Sequence, residues 1–259
     1  MKKDMRHLRE GNRCKLGSLV SIVSPVFNEQ EALPAFYESL VKSIASMEDE
    51  YSFEILFVDD GSTDGTLDLL NELAEIDERL KIYSFSRNFG HQAALYAGLN
   101  EARGDAVIFM DSDLQHPPEL IPQLITHWNS GYDIVSTIRV DTEDASFLKK
   151  VSSHLFYKFF NALSPVNIPE GAADFGLFSC RVCASLRQMP ETHRFLRGMT
   201  SWLGYKRVFI RYNAPARYAG VSKFSARKMI GMAGDAVFSF SSMPLRIATR
   251  LGFLCLAVS

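Results

Sequence analysis

What most limits how this chain can fold is an alternation between residues 19 and 137. Short apolar runs take turns there with longer segments of helical periodicity. Leu19–Ser24, Phe53–Val58, Lys81–Phe85, Ala106–Met110 and Ile134–Thr137 read as strands. Helices are expected from Glu31 to Ala45, from Thr66 to Asp77 and over Gln92–Ala102. Pro117-Pro118-Glu119 opens another, since Pro fits a helix's first turn. Nearly continuous apolar runs suit strands covered on both faces, as in a parallel sheet. Repeated β-α units of this size predict an α/β class with a doubly wound, mainly parallel sheet and right-handed crossovers. With 259 residues, 47% of them hydrophobic, the chain is long enough for one large domain with its own core.

After Asp141 the alternation is expected to give way to long helical segments. Ser146–Ala162 is amphipathic, with aromatics at Phe147, Phe156, Tyr157, Phe159 and Phe160, a stripe that more often packs in a core than meets a ligand. Phe224–Ser242 is basic at its start and apolar later, which suits either a membrane surface or packing against the sheet. Ile247–Ser259 is largely apolar but shorter than the ~20 residues that span a bilayer, and reads as the first part of a membrane helix. Residues 1–18 are a polar extension with no apolar stretch of the signal-peptide kind.

The formal net charge of −2 conceals an asymmetry. Residues 1–186 hold 16 Lys and Arg against 28 Asp and Glu, whereas residues 187–259 hold 12 against 2. A basic C-terminal third points to an anionic partner: a phosphorylated ligand, a membrane surface or a nucleic acid. Four cysteines fit a reducing compartment. Cys180 and Cys183 form a lone C-x-x-C without a second pair, so two packed thiols on a helix are expected rather than zinc.

Asp111-Ser112-Asp113 closes the Ala106–Met110 run. In an open α/β sheet the ligand crevice lies beyond the carboxyl ends of the strands, so these acids stand where a site belongs. Two acids spaced i, i+2 can share a hard divalent cation, which in turn can clamp a pyrophosphate. Alone, such a pair is more often a solvated acidic turn. The turn Asp59 to Gly65 adds three further acids and two glycines at the end of the second strand. It is not the Gly-x-x-x-x-Gly-Lys phosphate loop, and Gly-x-Gly-x-x-Gly is absent as well, which weakens any hydride-transfer reading. The loop Ser86–His91 supplies Arg87; His91 by itself reads as a structural histidine.

Taken together, these loops resemble a known family. Pro25-Val-Phe-Asn-Glu29, Val58-Asp-Asp-Gly-Ser-Thr-Asp-Gly-Thr66, Ser86-Arg-Asn-Phe-Gly-His91, Asp111-Ser-Asp-Leu-Gln-His-Pro-Pro118 and Gly220-Val-Ser-Lys-Phe224 follow in the order of family-two glycosyltransferases with the GT-A fold. The likeness covers roughly residues 19–246 and is strongest to the polyprenyl-phosphate branch. That branch includes dolichol-phosphate mannose synthase, undecaprenyl-phosphate glucosyltransferases and the aminoarabinose transferase.

The resemblance implies a catalytic domain over 19–222 and a basic, membrane-proximal helical segment over 223–259. It implies transfer of a sugar, with inversion, from a nucleotide-sugar such as a UDP-sugar to a polyprenyl phosphate at the cytoplasmic face of the cell membrane. Pro25, Phe27, Glu29, Val58 and Asp60 match positions that hold base and ribose. Asp111, Ser112 and Asp113 match positions facing the donor diphosphate. Asp111, Asp113 and Gln115 match those that hold Mg²⁺ or Mn²⁺. Arg139 and Lys223 match phosphate-facing cations, with Arg87 and Arg217 as helpers. Asp174 matches an acid proposed elsewhere as a base. An acceptor phosphate with its second pKa near ~6 needs no base, so Asp174 is expected to position the acceptor or to stabilise positive charge on the sugar. Phe27 replaces a frequent Tyr, Ser112 a usual Ala, and Gly176 an Arg of glucosyl-type relatives, which leaves the sugar open. The rival readings are a soluble or polysaccharide acceptor, and a nucleotide-sugar-binding regulator without turnover. Nucleic-acid binding leaves the acidic loops unexplained. A homo-oligomer is compatible with the sequence.

Overall fold

The five apolar runs become strands, each with an end that differs by one to three residues from the expected one. The computed structural model describes residues 17–140, 169–191, 195–215 and 249. Strand β1 spans Ser18–Val26, β2 Tyr51–Asp59, β3 Leu80–Ser84, β4 Ala106–Phe109 and β5 Ile134–Val140. Helices α1 (Leu33–Ala45), α2 (Thr66–Ile76), α3 (His91–Glu101) and α4 (Ile121–Asn129) connect them, α4 being entered through a 3-10 turn at Pro118–Leu120. In α1, Leu33, Phe36, Leu40 and Ile44 are buried. That spacing lays one apolar stripe on the sheet while Pro34 sits harmlessly in the first turn.

Beyond Asp141 the expectation of helices alone is corrected, because two more strands follow. They are β6 (Ala172–Ser179) and β7 (Arg207–Asn213), with α5 (Cys180–Gln188) and α6 (Leu196–Trp202) between them. The strand signal of β6 is diluted by Asp174 and Gly176 within it. The seven strands lie in the order β3-β2-β1-β4-β6-β5-β7. Pairing is parallel except around β6, which runs antiparallel to both β4 and β5. Gly176 is a matter of space: an added Cβ would stand 2.5 Å from the Val135 carbonyl oxygen. The β6 backbone thus approaches β5 more closely than any side chain allows.

Both faces of the sheet are covered, as continuous apolar strands require. One core gathers Ile22, Phe36, Leu40, Phe57, Leu124, Trp128, Phe175 and Leu177 beneath α1, α2 and α4. The other gathers Val23, Leu56, Leu95, Leu99, Phe109, Phe178, Val182 and Met199 beneath α3, α5 and α6. Fully burying one such side chain is worth about 1.5–3 kcal/mol. Of the C-x-x-C thiols only Cys183 is packed; burial pushes it up to about 12, while Cys180 is exposed. The segments Ser146–Ala162, Phe224–Ser242 and, apart from Thr249, Ile247–Ser259, with Arg217 and Lys223, lie outside the described residues. Among those described, no helix is long and apolar enough to cross a membrane.

Candidate active site

At the carboxyl ends of β1, β2 and β4 the expected loops converge. The β1 and β2 loops are tied across one another. Asn28 N–H donates to Ser62 Oγ (2.9 Å), Thr63 N–H to Asn28 Oδ1 (2.8 Å), Glu29 N–H to Thr66 Oγ1 (2.9 Å) and Gly65 N–H to Gln30 Oε1 (2.7 Å). Asn28 adopts φ 52°, a left-handed conformation that Asn tolerates better than most residues. Side chains of this loop therefore serve as its scaffold and leave Phe27 and Glu29 half-buried at the rim.

Pro25, Val58 and Asp60 are brought to the same place but are buried, Val58 within β2 itself. Asp60 accepts from Phe89 N–H (2.7 Å) and Gly90 N–H (2.9 Å). Burial pushes its carboxyl up, opposed by those two backbone donors. Asp60 therefore fastens the 86–90 loop over the β2 turn. Gly61, at φ +70°, lets that loop come so close that a Cβ there would meet the Arg87 backbone at 2.5 Å. Arg87 lies over the exposed Phe89 ring, 4.3 Å from its centroid.

The acid turn after β4 is locally self-supporting. Gln115 N–H donates to Asp113 Oδ1 (3.0 Å), Leu114 sits at φ 62°, and buried Ser112 donates to the Pro25 carbonyl (3.1 Å). A non-glycine residue in that region costs on the order of 1 kcal/mol, a strain typical of functional turns. The Asp111 N–H donates to His116 Nδ1 (2.9 Å), so that nitrogen presents its lone pair there. Its 3.6 Å approach to Asp111 Oδ2 is therefore proximity rather than a hydrogen bond. His116 in turn stacks on Phe175, with centroids 5.0 Å apart.

His91, read from the sequence as structural, stands with Nε2 2.6 Å from Asp111 Oδ1 and Nδ1 3.9 Å from Asp174 Oδ2. Burial opposes its protonation, but the Asp111 and Asp174 carboxylates outweigh burial, and its pKa is pushed up to about 9. Burial likewise opposes ionisation of Asp111, yet the His91 charge holds it well below the usual carboxylate range.

Asp174, on β6, is almost buried and fully engaged. Arg197 donates through Nε to Oδ1 (2.8 Å) and through Nη2 to Oδ2 (3.1 Å), and Gln92 Nε2 donates to Oδ2 (3.0 Å). Arg197 Nη1 also reaches the Ala172 carbonyl (2.9 Å), and Gln92 Oε1 accepts from Leu196 N–H (3.0 Å). Arg139, on β5, donates from Nη1 to Gln115 Oε1 (3.3 Å), while its Nε is buried without a partner. Gln92 and Arg197 were not legible as site residues. They lie 82 and 23 residues from Asp174, and no spacing links residues that far apart. A pocket lined by Asp174, Arg197, Ala172, Ala173, Pro169 and Phe209, among others, opens beside them.

For a divalent cation the chain offers Asp111 and Asp113, hard oxygen donors two residues apart. No cluster of three or more His, Cys, Asp or Glu side chains forms a closed cage among the described residues. That donor set suits Mg²⁺ or Mn²⁺, which take one or two carboxylates and complete their shell with substrate phosphate and water.

Comparison with known proteins agrees with this geometry. The family model described as Glycosyl transferase family 2 matches residues 21–187. A bactoprenol glucosyl transferase of Shigella phage SfV is 41% identical over 240 residues, covering 93% of this chain and 78% of that one. YkcC of Bacillus subtilis (strain 168), named an uncharacterized glycosyltransferase, is 38% identical over 234 residues, covering 90% and 72%. Among solved structures, Mycobacterium tuberculosis glucosyl-3-phosphoglycerate synthase in complex with Mg²⁺ and UDP superposes with a TM-score of 0.57 at 21% identity, covering 86% of this chain and 78% of that one. A sheet whose acid turns gather at one edge, with relatives this similar along most of its length, makes the chain a GT-A-fold glycosyltransferase of family 2.

Proposed function

We propose that this glycosyltransferase moves a sugar from a UDP-linked donor to a polyprenyl phosphate, with inversion, at the cytoplasmic face of the cell membrane. One observation carries the reading. The Asp111–Asp113 turn lies beside cationic Arg139 in a chain 41% identical, over 93% of its length, to a protein named bactoprenol glucosyl transferase. The basic balance of residues 187–259 supports a membrane surface of anionic headgroups.

The chemistry follows from charges. An oxygen of the acceptor phosphate attacks the anomeric carbon. The bond from that carbon to the donor diphosphate breaks, and its electron pair leaves with UDP. The acceptor is largely dianionic near neutrality, so it gives up no proton. Asp174, whose two oxygens accept from Arg197 and Gln92, is held as an anchor in that reaction, which asks no base of it. Phe27 and Glu29 line the nucleotide rim over buried Pro25, Val58 and Asp60, and Arg139 with Lys223 steadies phosphate oxygens. Mg²⁺ or Mn²⁺ held by Asp111 and Asp113, with Gln115 beside them, would neutralise charge growing on the diphosphate.

The test is UDP release from a panel of UDP- and GDP-sugars with Mn²⁺ or Mg²⁺, with and without undecaprenyl phosphate. Release that requires both metal and lipid phosphate is expected and names the donor. Turnover indifferent to the lipid replaces this reading with a soluble or polysaccharide acceptor, and nucleotide binding without turnover replaces it with a regulator.

A further inference from the structure

Between the acid turn and the start of α6 runs an unbroken set of polar contacts: Asp111, His91, Gln92, Asp174, Arg197. His91 and Gln92 are the first two residues of α3, so whatever holds Gln92 also fixes where His91 meets Asp111. Gln92 is held from two sides. Its amide N–H donates to Asp174 Oδ2, and its carbonyl accepts the Leu196 N–H at the first residue of α6. Arg197, one residue later, grips both oxygens of Asp174 and the Ala172 carbonyl at the start of β6. Three elements far apart in sequence thus meet at one carboxylate that is only 8% exposed.

We infer that Gln92 and Arg197 are positioning residues of the transfer reaction, acting through Asp174 and His91 on the placement of Asp111. The inference rests on the reading of Asp111 and Asp113 as cation ligands. The trio does the work of an outer shell around a metal site: it touches neither sugar nor cation and decides where a ligating carboxylate points. It also gives Asp174 a task other than proton transfer. The acid is the common acceptor on which α3, α6 and β6 are aligned, and Arg197 offsets its charge so that it does not compete with the acid turn for the cation.

Mn²⁺ binding to the full chain in the presence of UDP, read by electron paramagnetic resonance, tests this alongside steady-state kinetics. Gln92→Leu keeps the side chain's size and removes both contacts. It is expected to weaken Mn²⁺ binding or lower kcat by about 10-fold or more at saturating Mn²⁺, as loss of outer-shell partners does, while KM for the donor stays within about threefold. Arg197→Lys keeps the charge without the fork and should show the same pattern more mildly. Gln92→Glu still accepts from the Leu196 N–H but sets a carboxylate against Asp174, and serves if the leucine variant does not fold. Its activity should be lost near neutral pH and recover toward about pH 5.5 as the introduced carboxyl takes up a proton. Unchanged Mn²⁺ affinity and kcat in Gln92→Leu, or a wild-type pH profile in Gln92→Glu, overturns the inference. If the cation reading itself is wrong, the result differs: wild type fails to bind Mn²⁺ and Asp113→Ala changes nothing, and the inference falls with it.

Discussion

The two halves of the sheet build their parts of the site by different means. On the β1–β4 side each group sits in a turn directly after a parallel strand, so its place in the site follows from the strand that carries it. Loops there are braced by neighbouring loops, as Asn28 and Ser62 or Asp60 and Gly90 show. On the β5–β7 side the reversed strand β6 brings Asp174 to the edge at the strand's beginning, and a salt bridge with an amide, from α6 and α3, holds it there. Backbone topology brings the donor-side acids to the site, whereas side-chain contacts hold Asp174 and, through His91, aim the Asp111 carboxylate. Substitutions should therefore act locally on the first side and spread across elements on the second.

The largest effect is expected from the acid turn. Asp113→Ala should lower kcat by about 10³-fold with the fold intact, the scale of losing a principal source of transition-state charge stabilisation. Retention of more than a tenth of the activity would show that the strand-end turn is not the centre of the chemistry. Asp174→Asn removes the charge that Arg197 grips and should cost less, about 10- to 100-fold, with a pH–rate profile of wild-type shape because no proton is taken. Loss of the basic limb of that profile would restore a base role, and near-normal activity at every pH would deny Asp174 any role in transfer.

Gly176→Ala separates packing from specificity on the β6 side. A Cβ pressed against the Val135 carbonyl should destabilise the chain by about 1–3 kcal/mol, lowering the thermal midpoint. An unaltered midpoint with a changed sugar preference would return Gly176 to specificity. The smallest effect lies far from the site, where Arg79 donates to Asp77 and Tyr37 adds a hydrogen bond at 2.7 Å, holding the Asp77 carboxyl at about 2. Because that pKa is depressed from an unfolded value near ~3.9, the stabilisation is complete above about pH 4 and lost as pH falls through 2. Asp77→Asn should cost about 1–2 kcal/mol at pH 7 and only a small part of that near pH 2 in chemical denaturation, and an equal cost at both pH values would discount the ion pair.

The same contrast explains what the sequence disclosed. Apolar runs ending in acid turns are local signals, so β1 to β5 and the Asp111–Asp113 turn could be read directly, with errors confined to strand and helix ends. Strands β6 and β7 were missed because Asp174 and Gly176 in the one, and Arg207, Arg211 and Asn213 in the other, break up the apolar pattern. His91 looked structural because its partners, Asp111 and Asp174, lie 20 and 83 residues away. Gln92 and Arg197 carried no signal at all, since an ion pair across elements leaves no period. The place of Asp60 in the turn after β2 was legible, but its burial under the 86–90 loop was not, because that depends on two backbone N–H groups contributed by the loop.

The most direct test of this division is calorimetric binding of UDP with Mn²⁺, set beside transfer to undecaprenyl phosphate, in Asp113→Ala and Asp174→Asn. The account predicts that Asp113→Ala loses metal-dependent UDP binding and transfer together. At saturating Mn²⁺, Asp174→Asn should keep UDP affinity within about threefold while transfer falls at least tenfold. Equal loss of UDP binding in both variants would contradict it, because the two sides of the sheet would then form one undivided nucleotide site.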